Sequence, residues 1–275
     1  MSRRISKVLI ANRGEIAVRI IRACHDLGLE TVAVYSKADS EALHVLLADE
    51  AICIGEAPAT QSYLKIAHIL AACEVTGADA IHPGYGFLAE NAHFAAICES
   101  SGLLFIGPSS ETIRLLGDKS QAKAIAKKVD CPTITGSDGV VADLDEALAV
   151  ADHVGYPIFI KASAGGGGKG IRIAHTPDEC RSTFIAARTE AELSFGNPDV
   201  YIEKMVQNPR HIEVQIIGDA DGNVIHLGER DCTIQRRRQK LIEECPSPVL
   251  SQKQRDAIGA SAVAIAKEAG YVTAG

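Results

Sequence analysis

Between Lys7 and Gly107 five short apolar runs alternate with stretches of helical spacing, and that alternation restricts the first third of the chain to few folds. KVLIA from Lys7, TVAVYS from Thr31, AICIG from Ala51, AIHPG from Ala80 and LFIG from Leu104 read as strands. Ile16 to Leu27, Glu41 to Ala48, Tyr63 to Thr76 and Asn91 to Ser100 read as the helices between them. Strands separated by single helices need right-handed crossovers, which makes the sheet parallel and doubly wound. The expected class is α/β, opening with a Rossmann-like half that lacks the glycine fingerprint. Asn12-Arg13-Gly14-Glu15 then fills the first strand-to-helix turn, on the edge where ligands approach such sheets.

From Arg114 to Asp130 the pattern is helical, and Pro132, Gly136 and Gly139 follow as a linker. The main boundary is therefore expected between residues 117 and 135, after a first domain of residues 1–116. Residues 136–206 read as helix (Asp143 to His153), strand (Pro157 to Ser163), glycine loop, strand (Gly170 to His175), helix (Pro177 to Leu193) and strand (Val200 to Val206). That is a small α+β subdomain. HIEVQII from His211 alternates, which puts His211, Glu213 and Gln215 on one strand face and Ile212, Val214 and Ile216 on the other. After the turn Gly218-Asp219-Ala220-Asp221-Gly222 the run NVIHLGERD returns antiparallel, TIQRRRQKLIEE follows from Thr233, and Ser251 to Ala269 reads as a helix.

Gly165, Gly166, Gly167, Gly168 and Gly170 sit between two strand-like runs, with Lys161 just before them. A backbone without side chains can approach an anion closely and aim several N–H groups at it, so a polyphosphate is the expected ligand. Three other glycine-loop chemistries fail. A dinucleotide fingerprint needs a helix next, where Ile171-Arg172-Ile173-Ala174 reads as a strand. A P-loop needs glycine where Ser163 stands, and a kinase loop precedes its lysine strand, whereas Lys161 comes first here. A flexible hairpin without a ligand is the remaining alternative.

Composition excludes more than it selects. With 28 basic against 35 acidic residues the net charge is −7, so no broad field favours nucleic acid or an anionic membrane, and no partner of either kind is expected. No apolar run approaches the roughly 20 residues that span a bilayer, and Asn12 and Arg13 interrupt any leader-like core, so a cytoplasmic or organelle-matrix protein is expected. The 8 cysteines are dispersed and form no C-x-x-C pair, so neither a zinc site nor a disulfide framework is expected, and they read as reduced, mostly structural thiols.

Several strings stand out: IANRGEIAVRIIRA from Ile10, ADAIHPGYGFLAEN from Ala78, GDK ending at Lys119, IKASAGGGGKG from Ile160, EKMVQNPRHIEVQ from Glu203, GERDCTIQRRRQK from Gly228 and EECPSP from Glu243. Taken together they resemble the biotin carboxylase family, within the ATP-grasp superfamily. The resemblance implies a Rossmann-like pre-ATP-grasp domain, an ATP-grasp lid at 136–206 and, at 207–275, the start of a C-terminal ATP-grasp half. It implies a ligase that activates bicarbonate with ATP through carboxyphosphate and carboxylates biotin on a biotin carboxyl carrier protein. This is the first half-reaction of acetyl-CoA carboxylase, in fatty acid biosynthesis, or of a related enzyme with its own carboxyltransferase. By the same resemblance Lys119 and Lys161 contact ATP phosphates, Gly167 and Gly168 cover them, and Glu203, Lys204, Met205 and Val206 read the adenine. His211 and Gln235 lie near ribose and phosphates, Lys240 holds bicarbonate, Glu213 is an active-site carboxylate, and the loop from His82 to Asn91 lies on the biotin side. Arg238 stands where the family often has histidine or asparagine, and a phosphate or ribose contact is expected of it. The family's acidic ligands for Mg2+ or Mn2+ and its catalytic arginine are expected beyond residue 275, as is dimerisation of a longer chain, so the 275-residue piece alone is expected to be inactive. A nucleotide-binding fragment without turnover, or another ATP-grasp ligase, are the alternatives.

Overall fold

The computed structural model describes residues 4–164, 170–236 and 239–275, the side chains of residues 119 and 120 excepted. It divides into two compact units, one of Met1–Asp118 with Ile216–Ile225 and Ala266–Gly275, the other of Lys119–Gln215 with His226–Ile265.

The first unit runs β1 (Lys7–Ile10), α1 (Gly14–Asp26), β2 (Glu30–Ser36), α2 (Leu43–Leu47), β3 (Glu50–Gly55), α3 (Ile66–Thr76), β4 (Ala80–His82), α4 (Ala92–Ser100), β5 (Leu104–Phe105) and α5 (Ser110–Gly117). All five strands are parallel in the order β3-β2-β1-β4-β5, the doubly wound sheet that the alternation predicts. Helices cover both faces. On β1, Leu9 enters one buried cluster with Val32, Val34, Ile69, Ile81 and Phe94, while Val8 and Ile10 enter a second with Ala17, Ile20 and Ile21. A strand buried on both sides has to be apolar at every position, which is why it reads as a continuous run and not as an alternation.

The order of the strands reverses between β1 and β4, and the loops after these two strands are tied together there. Asn12 is buried, and its Nδ2 donates to the carbonyls of Pro83 and Tyr85, each at 2.7 Å. Gly84 has φ +64°, and a Cβ there would lie 2.8 Å from Asn12 Nδ2. Glycine is needed on both counts.

The second unit holds α6 (Lys119–Lys128), α7 (Leu144–Val154), β6 (Ile158–Ala162), β7 (Ile171–Ala174), α8 (Pro177–Phe195) and β8 (Val200–Lys204), with an antiparallel sheet in the order β7-β6-β8. Local chemistry sets the helix ends. The Thr176 side chain accepts from Glu179 N–H, Pro177 opens α8, and Gly196 at φ +68° closes it. Ile158, Ile160, Ala162, Val200 and Ile202 turn to the core under α7 and α8, with Phe184 and Ala187 above them.

The chain continues as β9 (Ile212–Gly218), β10 (Val224–Arg236), β11 (Gln239–Glu244), α9 (Gln252–Glu268) and β12 (Thr273–Ala274), with strand order β11-β10-β9-β12. Two features differ from the reading of the sequence. The basic run does not trail away after β10: the strand extends to Arg236, and Gln239–Glu244 pairs back on it, Gln235 opposite Lys240. And beyond the helix read from Ser251 to Ala269 a short strand forms, Thr273 and Ala274 pairing with Gly218 and Ile217. The first is a local hairpin without a glycine turn signal, and the second is a long-range pairing that two residues of sequence do not announce.

Candidate active site

On the lid sheet the two faces differ sharply. Register sets Phe159 opposite Glu203 and Lys161 opposite Tyr201, so the face turned away from the core carries Phe159, Lys161, Tyr201 and Glu203 together. Glu203 is nearly buried and holds two ammonium groups: Lys161 Nζ on Oε2, and Lys123 Nζ on Oε1 at 2.5 Å. Burial pushes the Glu203 carboxyl up, but the hydrogen bonds from Lys123 and Lys161 override it and hold the group below its ordinary range. Lys161 Nζ also lies 5.2 Å from the Phe159 ring centre, and Lys123 Nζ 5.4 Å from that of Tyr201. One negative charge is shared by two cations, which leaves net positive charge on a partly dry face. Such a face suits an anion.

The end of β8 has its own anchors. Lys204 Nζ donates to the carbonyls of Gly155 at 2.7 Å and Tyr156 at 2.9 Å, so this side chain secures the turn after α7. Lys204 N–H donates to Thr135 O and Met205 N–H to Pro157 O, while Val206 is exposed.

A second cluster sits on β9, β10 and β11. Glu213 Oε2 takes Lys240 Nζ, and Glu213 Oε1 takes Arg230 NH2 at 2.5 Å. Arg230 NH1 also donates to Gln215 at 3.0 Å, which puts Glu213 and Gln215 on one face as the alternation predicts. Burial raises the Glu213 carboxyl, the hydrogen bonds from Lys240 and Arg230 outweigh it, and the balance lowers it to about 2. Lys240 is raised in turn, chiefly by its hydrogen bond to Glu213. Beside them Gln235 Nε2 lies 3.0 Å from His211 Nδ1 and donates to Cys232 O at 2.9 Å. The register shifts between Asp231 and Gln235 are irregularities of the kind that re-aim side chains next to functional sites.

The structure thus joins Lys161 to Glu203 in one cluster and Glu213, Lys240, His211 and Gln235 in another, both within the second unit. Gly167, Gly168 and Arg238 lie outside the described residues, as does the Lys119 side chain. Two participants escape the reading of the sequence, Lys123 and Arg230. Lys123 stands four residues after Lys119 on α6, one turn along the same helix face, and that spacing is the signal that could have found it. In the first unit His82 Nδ1 accepts from Gly84 N–H at 3.0 Å, burial lowers the imidazole, and Phe87, at φ 38°, stacks on Tyr63 at 5.1 Å.

A doubly wound parallel sheet, followed by a three-stranded antiparallel sheet bearing Lys161, defines an α/β protein of Rossmann-like and ATP-grasp parts. Residues 4–113 match the family described as biotin carboxylase, N-terminal domain, and residues 118–275 that described as carbamoyl-phosphate synthase L chain, ATP binding domain. The chain is 57% identical over 272 residues to biotin carboxylase of Pseudomonas aeruginosa, covering 98% of this chain and 61% of that one. It is 55% identical to chloroplastic biotin carboxylase 2 of Populus trichocarpa, covering 99% and 52%. Among solved structures, a Campylobacter jejuni biotin carboxylase–β,γ-ATP complex superposes with TM-score 0.92 at 49% identity, covering 98% of this chain and 61% of that one. The biotin carboxylase domain dimer of Hydrogenobacter thermophilus 2-oxoglutarate carboxylase, bound to MgADP, ADP and bicarbonate, does so with TM-score 0.89 at 51% identity, covering 99% and 60%. The chain belongs to the biotin carboxylase family. It spans between 52% and 61% of the length of the relatives just described.

Proposed function

We propose that this chain is the ATP-binding part of a biotin carboxylase, which uses ATP to activate bicarbonate and passes the carboxyl group to N1′ of biotin on a carrier protein. The observation that carries the reading is the placement of Lys240 on Glu213 across β9 and β11, a fixed cation beside a carboxylate that remains ionised. Bicarbonate oxygen attacks the γ-phosphorus, the bond to the β-phosphate oxygen breaks, and ADP and carboxyphosphate result. Two anions must meet for this, so the work is positioning and charge compensation. Lys240 holds bicarbonate, while Lys161, released from Glu203, and Lys119 hold the triphosphate. Residues 136–206 act as a lid, with Gly167 and Gly168 over the phosphates. Glu203 to Val206 border the adenine, His211 and Gln235 border the ribose, and Arg238 reaches ribose or phosphate.

Glu213, an active-site carboxylate held ionised by Lys240 and Arg230, also positions Lys240. Mg2+ takes oxygen ligands, and among the described residues the cluster of three candidate ligands, His211, Glu213 and Cys232, offers a soft sulfur and a nitrogen. That set does not fit Mg2+ or Mn2+. A biotin carboxyl carrier protein and a carboxyltransferase are the proposed partners, and a dimer the proposed assembly of the longer protein. Among the described residues no helix is long and apolar enough to cross a membrane.

The test is bicarbonate-dependent ATP cleavage by the full-length protein in the presence of free biotin, measured as ADP release. Lys240→Met should lower kcat/KM for bicarbonate by about 100-fold, the scale of losing one preorganised electrostatic contact. ATP cleavage indifferent to bicarbonate in the unsubstituted protein would refute the assignment.

A further inference from the structure

We propose that His211, Glu213 and Cys232 form a binding site for a thiophilic divalent cation, with Zn2+ as the ion whose preferences the donors meet. Ligating atoms from all three residues lie within 4.8 Å of one another. Imidazole, carboxylate and thiolate together are a zinc donor set, and bonds of about 2.0–2.3 Å arranged tetrahedrally bring such atoms to within ~3.3–3.8 Å of each other. The remaining contraction is on the order of 1 Å, within reach of small side-chain rotations.

Strand pairing has already brought the donors together. Cys232 N–H donates to His211 O at 2.9 Å, the Cys232 thiol lies 3.5 Å from the same carbonyl, and Glu213 is two residues along from His211. Gln235 Nε2 donates to His211 Nδ1 at 3.0 Å, so the ion must displace this amide to reach that nitrogen or take Nε2 after the ring changes tautomer. Exposure is graded: His211 is exposed, Glu213 half-buried and Cys232 buried, so an ion enters at the imidazole and ends on a thiol screened from solvent.

Two cations oppose it, since Lys240 and Arg230 occupy the Glu213 oxygens. Like charges this close repel, and a dication doubles the effect of a single charge. The ion must therefore displace Lys240, whose side chain is 40% exposed and can turn into water. On binding, the Cys232 S–H bond breaks, a Zn–S bond forms and the proton passes to solvent; no electron is transferred. Occupancy takes Glu213 away from Lys240, so the ion should exclude the bicarbonate chemistry. The site rests on the proposed function in that consequence alone.

Co2+ is the probe, because a thiolate ligand gives it a near-ultraviolet charge-transfer band and a tetrahedral site gives it strong visible bands. The protein should develop both, lose them to about one equivalent of Zn2+, and release about one proton per Zn2+ in weak buffer. The bands should persist when the exposed Cys53 and Cys245 are both changed to serine. Cys232→Ser should abolish the charge-transfer band and weaken Zn2+ by about 100-fold, and Glu213→Gln by about tenfold. Absence of the band, its loss in the Cys53→Ser, Cys245→Ser protein or its survival in Cys232→Ser would overturn the site. Should Cys232→Ser fail to fold by circular dichroism, His211→Gln decides: unchanged Zn2+ affinity there overturns the site, and weakening supports it. None of these readings uses turnover, so a negative result leaves the carboxylation reading intact.

Discussion

Glu203 illustrates how a single residue sets the state of a whole face. Its carboxylate is shared between Lys123 and Lys161, and each lysine weakens the grip of the other on it. Under the proposed function a triphosphate would draw Lys161 away, and Lys123 would remain to neutralise a nearly buried charge that would otherwise cost several kcal/mol to leave alone. Removing Lys123 should therefore make Lys161 harder to release. Lys123→Met is expected to raise KM for ATP about tenfold, equivalent to ~1.4 kcal/mol, with a much smaller change in kcat, whereas Lys123→Arg should restore most of the affinity. Steady-state kinetics on the full-length protein separates the cases, and an equal loss in both variants would mean that the charge of Lys123 is not what matters. Lysine at 161 was legible from its place before the glycines. Its partner was not, because an ion pair between α6 and β8 spans 80 residues that carry no pattern linking the two ends.

Among the elements, those whose ends are set by local chemistry were the legible ones. α8 shows Pro177, Glu179 and a closing Gly196 in the sequence, and it forms where those residues place it. β11 and β12 lack such punctuation: β11 is exposed along its length and β12 has two residues, so each owes its existence to a partner strand. The consequence for stability is concrete. Thr176→Ala removes the acceptor of the Glu179 N–H and should cost about 1 kcal/mol. Gly136→Ala should cost more, because a Cβ there would lie 2.2 Å from Ile202 O, and Gly136 bridges Glu203 on β8. Urea denaturation should show Gly136→Ala with the lower midpoint, and the reverse order would mean that the β8 edge yields more easily than its backbone contacts suggest.

For the molecule as a whole, acid is the condition that should act on both units at once, since each buries a carboxylate held below its ordinary range. In the first unit Arg13 Nε donates to Asp39 at 2.7 Å, and Tyr63 OH and Ser36 Oγ donate to it at 2.5 Å and 3.1 Å. The Arg13 hydrogen bond outweighs burial and lowers Asp39 far below the usual carboxylate range. In the second unit Glu203 is lowered against its burial by Lys123 and Lys161. A depressed folded pKa contributes stability that is complete above the unfolded value, about 3.9 for Asp and 4.3 for Glu, and is lost as pH falls through the folded value. Stability should thus be level near neutrality and fall steadily below about pH 4. Asp39→Asn should lower stability at pH 7 by about 1–2 kcal/mol, because the charge-assisted hydrogen bonds from the half-exposed Arg13 are lost, and should flatten the acid limb for the first unit. Hydrogen exchange followed across β1 and β2 from pH 7 to pH 3 resolves that limb. If the variant loses protection with acid as steeply as the unsubstituted protein, Asp39 is not the group that binds the proton on unfolding.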